Sequence, residues 1–200
     1  MIKRKKKIIV TICLILIIFI VGSFLFYKYG GYLLIEKSER EELFNNINTS
    51  SPLPERFYTV YNVVNPGSLN NTLTECLFNQ ALMIGNKSQY KECIYKDVVI
   101  MGYVSFSKIS LRRILLASLL DDNFSHRQCL DYYTNRFHFT KEIKGVQAAS
   151  RYYFNKHIDY LNDEEYIEIV LMMKNSSLYN KKRRPEMMEN IIKQILTQLN

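Results

Sequence analysis

The chain opens on a long apolar run. Residues 8–27 carry no charge, and Thr11 and Ser23 are the only hydroxyls among the non-aromatic positions. As a helix rising about 1.5 Å per residue, this run covers about 30 Å, the hydrocarbon thickness of a bilayer. Lys3, Arg4, Lys5, Lys6 and Lys7 precede it, and it ends Phe24-Leu25-Phe26-Tyr27-Lys28 with no small-x-small site nearby. A signal peptide has a shorter apolar core and small residues at its end, so the pattern predicts an uncleaved single-span anchor. The basic cluster places the N-terminus in the cytoplasm and residues from about 28 onward outside. Gly30-Gly31 is expected to break the helix.

Beyond the anchor the pattern is mainly helical. Residues 36–44 are charged and predict a short helix. Residues 45–54, rich in Asn, Ser, Thr and Pro, read as a linker. Phe57, Val60, Tyr61 and Val64 then recur at i, i+3, i+4 and i+7, one apolar helix face. Asn65-Pro66-Gly67 stops that helix, since proline disfavours helical geometry in the residue before it. Residues 73–83 predict another helix and 84–91 a loop. Residues 98–109 are apolar and β-branched, and periodicity does not separate a strand from a buried helix there. Residues 111–120 predict a helix interrupted by Asp121-Asp122-Asn123. Ser125 is placed as the N-cap of a helix through 133, and 145–154 form the next. Asn162 and Glu165 have the spacing of a capping box that launches 163–173. Residues 185–199 carry Met188, Ile191, Ile192, Ile195 and Leu199 on one face. Lys181-Lys182-Arg183-Arg184 reads as a solvated loop between the last two helices.

This divides the chain into a basic start (1–7), an anchor (8–27), a linker (28–53) and one domain (54–200). Composition agrees with a globular domain, at 48% hydrophobic and 23% charged. Five of the positive charges sit in the basic start, which leaves only +3 of the net +8 on the rest of the chain. A basic cluster beside an apolar run is a topology signal, so nucleic acid is not an expected partner. Cys76, Cys93 and Cys129 fall outside the membrane, and Cys76 with Cys93 is a candidate bridge. The three histidines are scattered, and no ligand cluster calls for a metal.

Residues 125–180 carry a more specific signal. Cys129-Leu130-Asp131-Tyr132-Tyr133-Thr134-Asn135, then Gly145-Val146-Gln147-Ala148-Ala149-Ser150-Arg151-Tyr152-Tyr153-Phe154-Asn155-Lys156, then residues 161–165, then Tyr179-Asn180 fall in order without a gap. They resemble the motifs I-L-E-x-Y-L-N, G-V-E-A-A-A-x-Y-Y-F-G-K, L-x-x-x-E and P-x-x-Y-N. These belong to the last third of the peptidoglycan glycosyltransferase domain, glycosyltransferase family 51, above all its monofunctional members. The resemblance implies a mainly α, lysozyme-like domain on a single N-terminal transmembrane helix, in a bacterial cell envelope.

In that family an acceptor hydroxyl attacks the anomeric carbon of a lipid-linked glycan and pyrophosphate leaves. A carboxylate base and stabilisation of the leaving diphosphate are needed. The family supplies acids in E-D-x-x-F-x-x-H-x-G and R-K-x-x-E. Here the first motif falls on Asn65-Pro66-Gly67-Ser68-Leu69, with Asn65 at the base position and Thr72 at the histidine. Arg113 keeps the arginine of the second, while Ile114 takes its lysine position and Ala117 its glutamate position. An amide accepts no proton at neutral pH, and an alanine neither moves a proton nor holds a metal. Gln147 replaces a further family glutamate, and Thr140 and Asn155 replace family glycines, which implies altered loops.

Arg113, Asn135, Arg151 and Tyr153 match family positions and are the candidate groove residues. The favoured reading is a degenerate, catalytically inactive relative. It binds a glycan strand or a lipid-linked precursor, or serves as a scaffold for cell-wall synthesis proteins, and uses no cofactor. A second reading is an active enzyme with a relocated acid such as Glu75, Glu92 or Asp97, where a divalent metal would take part. Asp121-Asp122-Asn123-Phe124-Ser125-His126 echoes an acid motif but reads as a loop and helix start. A third reading is an unrelated membrane-tethered interaction module.

Overall fold

The computed structural model describes residues 2–76, 93–102, 111–179 and 183–199. Its helices are α1 (Ile2–Leu34), α2 (Lys37–Asn48), α3 (Glu55–Val64), α4 (Ile94–Gly102), α5 (Leu111–Asn123), α6 (His126–Arg136), α7 (Val146–Phe154), α8 (Asp163–Asn175) and α9 (Pro185–Leu199). A 3₁₀ turn, Ile158–Tyr160, joins α7 to α8. Among the described residues no strand forms; His138 and Lys144 make an isolated antiparallel bridge. The architecture is the expected mainly α one.

The expected break at Gly30-Gly31 does not occur. α1 continues to Leu34, and both glycines are buried where it meets α5. A Cβ on Gly31 would lie 2.6 Å from the Leu119 side chain and 2.9 Å from the Leu115 carbonyl oxygen. Glycine is needed here for close approach of two helices, which is why it is tolerated inside one. Around the contact, Lys28 Nζ lies 3.5 Å from Asp122 Oδ1. Asn123 Nδ2 donates to the Tyr32 hydroxyl at 3.2 Å, and the Tyr27 hydroxyl lies 3.2 Å from Thr74 Oγ1.

The segment read as a linker also folds onto the domain. Arg40 donates to the Tyr32 and Ile35 carbonyls at 3.4 and 3.3 Å, satisfying acceptors at the end of α1. Glu39 pairs with Arg112 of α5. α2 runs on to Asn48, and Ile35, Ile47 and Leu53 are 2%, 2% and 7% exposed. Leu43 and Phe44 of α2 also pack against the core, Phe44 edge-on to Phe124 at 4.8 Å.

α8 is the centre of the core. Its residues 166–173 are all buried, with α3, α7 and α9 packed around it. Each fully buried aliphatic side chain there, such as Ile167 or Val170, contributes about 1.5–3 kcal/mol. α3 buries Phe57, Val60, Tyr61 and Val64, the predicted face, together with Tyr58. α4 and α5 pack on each other, α6 meets α4, α2 and α7, and α9 presents Met188 and Ile192 inward.

Local signals set several boundaries. Ser125 Oγ accepts from Gln128 N at 3.2 Å and Gln128 Oε1 accepts from Ser125 N at 3.0 Å, so α6 starts on a full capping box. Asn162 and Glu165 close the second box, with both bonds at 2.9 Å. Asp121-Asp122-Asn123 does not interrupt α5 but forms its last turn. Asn123 Nδ2 donates back to the Leu119 carbonyl at 2.7 Å, and Asp121 Oδ2 accepts from Leu73 N at 3.1 Å.

Residues 98–102 are helical, within α4, and residues 103–110 lie outside the described residues. Residues 73–76 are helical; the rest of the helix expected there, the loop at 84–91 and Glu92 also lie outside. Cys76 and Cys93 are buried thiols rather than a disulfide.

Candidate functional site

A cleft of about 280 Å³ opens where α3 ends against α4, α6 and α8. Tyr61, Asn65, Asp97, Tyr133, Val170, Met173 and Lys174 line it. α3 supplies Tyr61, and Asn65 caps that helix. α8 supplies Val170, Met173 and Lys174, which share a face because residues three and four apart lie together on a helix.

Asn65 is 4% exposed. Its backbone N–H and its side-chain Nδ2 both donate to the Tyr61 carbonyl, at 2.8 and 3.2 Å. The amide is therefore committed to closing α3. Lys174 Nζ donates to the Val64 carbonyl at 2.9 Å. It sits at the C-terminal turn of α8 and beside that of α3, where helix dipoles favour a cation. Among the described residues the cleft thus offers one carboxylate (Asp97), one ammonium (Lys174), two phenols and an apolar wall.

The other sequence candidates fall elsewhere. Ala117 is 3% exposed inside α5, in the core. Arg113 is half-buried on the same helix. Asn135 Nδ2 donates to the Ser51 carbonyl at 2.8 Å, tying the segment before α3 to α6. Arg151 is exposed on α7. Tyr153 is half-buried, with its ring edge-on to Tyr152 at 4.9 Å. Burial first, then neighbouring Tyr152 and Glu168, raise its phenol pKa against the opposing Arg183. Arg113, Asn135, Arg151 and Tyr153 are not among the residues lining the cleft.

The acid-like run at 121–126 is used by the fold. Asp121 caps Leu73, Asp122 pairs with Lys28, and Phe124 is buried. Ser125 caps α6, and His126 Nε2 lies 3.1 Å from the Asn71 carbonyl oxygen. Asn155, at a family glycine position, takes the left-handed conformation (φ 56°) that asparagine shares with glycine. The backbone at that turn therefore tolerates the exchange. Thr140 Oγ1 accepts from Glu142 N and Ile143 N at 3.2 and 3.0 Å and builds its own turn.

Asp97 and Asn65 were singled out from sequence; Tyr61, Tyr133 and Lys174 were not. The signal for Lys174 was its place directly after the buried run 166–173 of α8, one turn past Val170. Among the described residues no group of three or more His, Cys, Asp or Glu is placed to hold a metal.

Comparison with known proteins agrees with the helical architecture. A family model described as Transglycosylase matches residues 98–200. Penicillin-binding protein 1F of Bacillus subtilis (strain 168) is 27% identical over 108 residues, 52% of this chain and 15% of that protein. Penicillin-binding protein 1B of Buchnera aphidicola subsp. Acyrthosiphon pisum is 28% identical over 113 residues, 53% of this chain and 15% of that protein. Penicillin-binding protein 1B of Escherichia coli (strain K12) is 29% identical over 90 residues, 42% of this chain and 11% of that protein. The match thus spans about a seventh or less of these relatives. The family match covers the end of α4 and α5 to α9, including the central helix α8, and the chain belongs to the peptidoglycan transglycosylase family.

Proposed function

We propose that this protein is a membrane-anchored, peptidoglycan glycosyltransferase-like protein that binds a lipid-linked glycan precursor or a glycan strand without polymerising it. The observation that carries this reading is Asn65. It stands where the resemblance places the base, and its amide is buried and bonded back to Tyr61. A carboxamide takes no proton at neutral pH, and this one is held against the Tyr61 carbonyl. Ala117, at the second acid position, lies in the core. The cleft keeps polar groups suited to recognition: Asp97 and the Tyr61 and Tyr133 phenols for sugar hydroxyls, and Lys174 for a phosphate. α1 serves as the anchor, with its basic end in the cytoplasm and the domain outside.

A second reading rests on Asp97, a carboxylate from the first half of the chain that lines this same cleft. It would make the protein an active polymerase with a relocated base. The deciding experiment is polymerisation of lipid-linked disaccharide-pentapeptide by the full chain in detergent with divalent metal, beside an Asp97→Asn variant. The binding reading expects no glycan chains but saturable binding of the same lipid. Glycan chains that vanish in Asp97→Asn would replace it with the second reading. Neither product nor binding would leave a scaffold for cell-wall synthesis proteins.

A further inference from the structure

We propose that a pocket beneath α2, separate from the cleft, binds an organic cation: a primary ammonium on a short aliphatic stem, the chemistry of a lysine side chain. This does not depend on the function proposed above.

The pocket encloses about 190 Å³ between α2 and the helices it docks on. Leu43 of α2, Val98 of α4 and Leu116 of α5 give it an apolar floor, and Val98 and Leu116 are each 1% exposed. Glu39, Glu42 and Asn46 of α2 and Tyr132 of α6 supply its polar groups. None of these residues lines the cleft. An apolar cavity of about 150 Å³ already holds benzene, so there is room here for roughly five or six non-hydrogen atoms.

Three of the polar groups are unpartnered. Tyr132 is 7% exposed, and its hydroxyl has no hydrogen-bond partner among the described residues. Buried polar groups are rarely left so in native folds, and each one calls for a cause. The Glu42 carboxylate and the Asn46 amide also have no partner among the described residues. Burial raises the Tyr132 phenol pKa, Arg136 opposes the rise and Glu42 adds to it, so the carboxylate and the hydroxyl feel each other.

These groups define the occupant. A carboxylate accepts hydrogen bonds and offers none, so the occupant must donate. Two glutamates at one pocket disfavour an anion. Glu39 already pairs with Arg112, which leaves Glu42 as the uncompensated charge. The cations of α2 are engaged elsewhere, Lys37 with Glu41 and Arg40 with the Tyr32 and Ile35 carbonyls. Arg136 stacks on the Tyr132 ring, 4.7 Å from its centroid, and does not line the pocket. An ammonium has three donors, which suit the Glu42 carboxylate, the Tyr132 oxygen and the Asn46 amide oxygen. Its stem would cover Leu43, Val98 and Leu116, as the stem of a lysine covers apolar surface.

The test titrates the full chain, in a non-ionic detergent, with n-butylammonium. The methyl signals of Leu43, Val98 and Leu116 are followed by NMR. A saturable shift of these signals is expected, with a Kd on the order of 1 mM for so small a ligand. 1-Butanol has the same size without the charge and should bind about tenfold more weakly. Glu42→Gln, at an exposed position, should weaken the ammonium about tenfold and leave butanol unchanged. Tyr132→Phe removes only the unpartnered hydroxyl and should weaken the ammonium severalfold. No shift at the three methyls would overturn the site. Equal binding of butanol and butylammonium, or ammonium binding unchanged in Glu42→Gln, would overturn its cation chemistry. Nα-acetyl-lysine amide binding as tightly as butylammonium would assign the site to a lysine carried on a peptide. Binding of butylammonium without the lysine amide would assign it to a free amine.

Discussion

The Tyr58 hydroxyl donates to Asp131 Oδ1 at 2.6 Å, across 73 residues of sequence. Leu53 N donates to the same oxygen at 3.1 Å. Asp131 is 7% exposed, so one carboxylate clamps α6, α3 and the segment before α3 together in the core. It occupies a family glutamate position, and its role here is structural.

Asp131→Ala leaves the buried Tyr58 hydroxyl without its acceptor and takes one of two acceptors from Leu53 N, which also donates to the Tyr58 hydroxyl at 3.2 Å. It should cost about 1–3 kcal/mol, read as a lower midpoint in thermal unfolding. Asp131→Asn keeps an oxygen at the same place and should recover most of that loss. Equal losses in the two variants would mean that the hydrogen bonds are not what the position supplies.

Two carboxylates should act on stability at opposite ends of the acid range. Arg56 donates to Asp163 at 2.6 and 2.5 Å and holds its carboxyl below the usual value. Its share of stability is present above the unfolded pKa of about 3.9 and is lost as pH falls through the folded value. The pair is partly exposed, so the effect is on the order of 0.5 kcal/mol. Burial raises Asp131 despite its two hydrogen bonds. Its share is present below about 3.9 and is lost as pH rises through the folded value. Unfolding midpoints measured against pH should lose their acid-side slope in Asp163→Asn, and their opposite slope in Asp131→Asn.

Gly145 has φ +83°, and a Cβ there would lie 2.6 Å from the Asn135 carbonyl oxygen. Both the backbone conformation and the space exclude a side chain. Gly145→Ala should destabilise the fold by about 1–3 kcal/mol, as for a strained left-handed residue. An unfolding curve that matched the parent would show that the turn into α7 can shift.

On the proposed binding reading, a carboxylate at position 65 should not produce polymerisation. Asn65→Glu would bury a charge where an amide now bonds to Tyr61. General-base help is worth about 10²–10⁴-fold, and only with a substrate hydroxyl in reach. The expected outcome is no glycan product and a lower thermal midpoint. Glycan chains from this variant would show that the missing carboxylate alone silences the cleft.

The helices were largely legible because most obey simple rules. The α3 face, both capping boxes and the α9 stripe follow from spacing alone. What could not be read was tertiary. Gly30-Gly31 looks like a helix breaker until Leu115 and Leu119 are seen against it. Asp121-Asp122-Asn123 looks like a turn until Leu73 and Lys28 supply its partners. The cleft was half legible. Asn65 was marked because the resemblance places the family's base position there and Asp97 as a relocated acid, whereas Lys174 joins them only because α8 crosses the end of α3. Asn135 was read as a groove residue; the structure shows its side chain bonded to the Ser51 carbonyl.

The burial of Ile35, Ile47 and Leu53 has a consequence for how this domain can be separated from its N-terminal helix. In many anchored proteins a protease releases the outer domain by cutting the stalk. Here the stalk is part of the core, and Leu53 N and the Ser51 carbonyl are bonded to α6. A cut near the exposed residues 51–52 would sever Leu53 from Ile47 and open the core. Such a cut would then yield a loosened fragment open to further digestion, so the intact domain persists only while joined to its N-terminal helix.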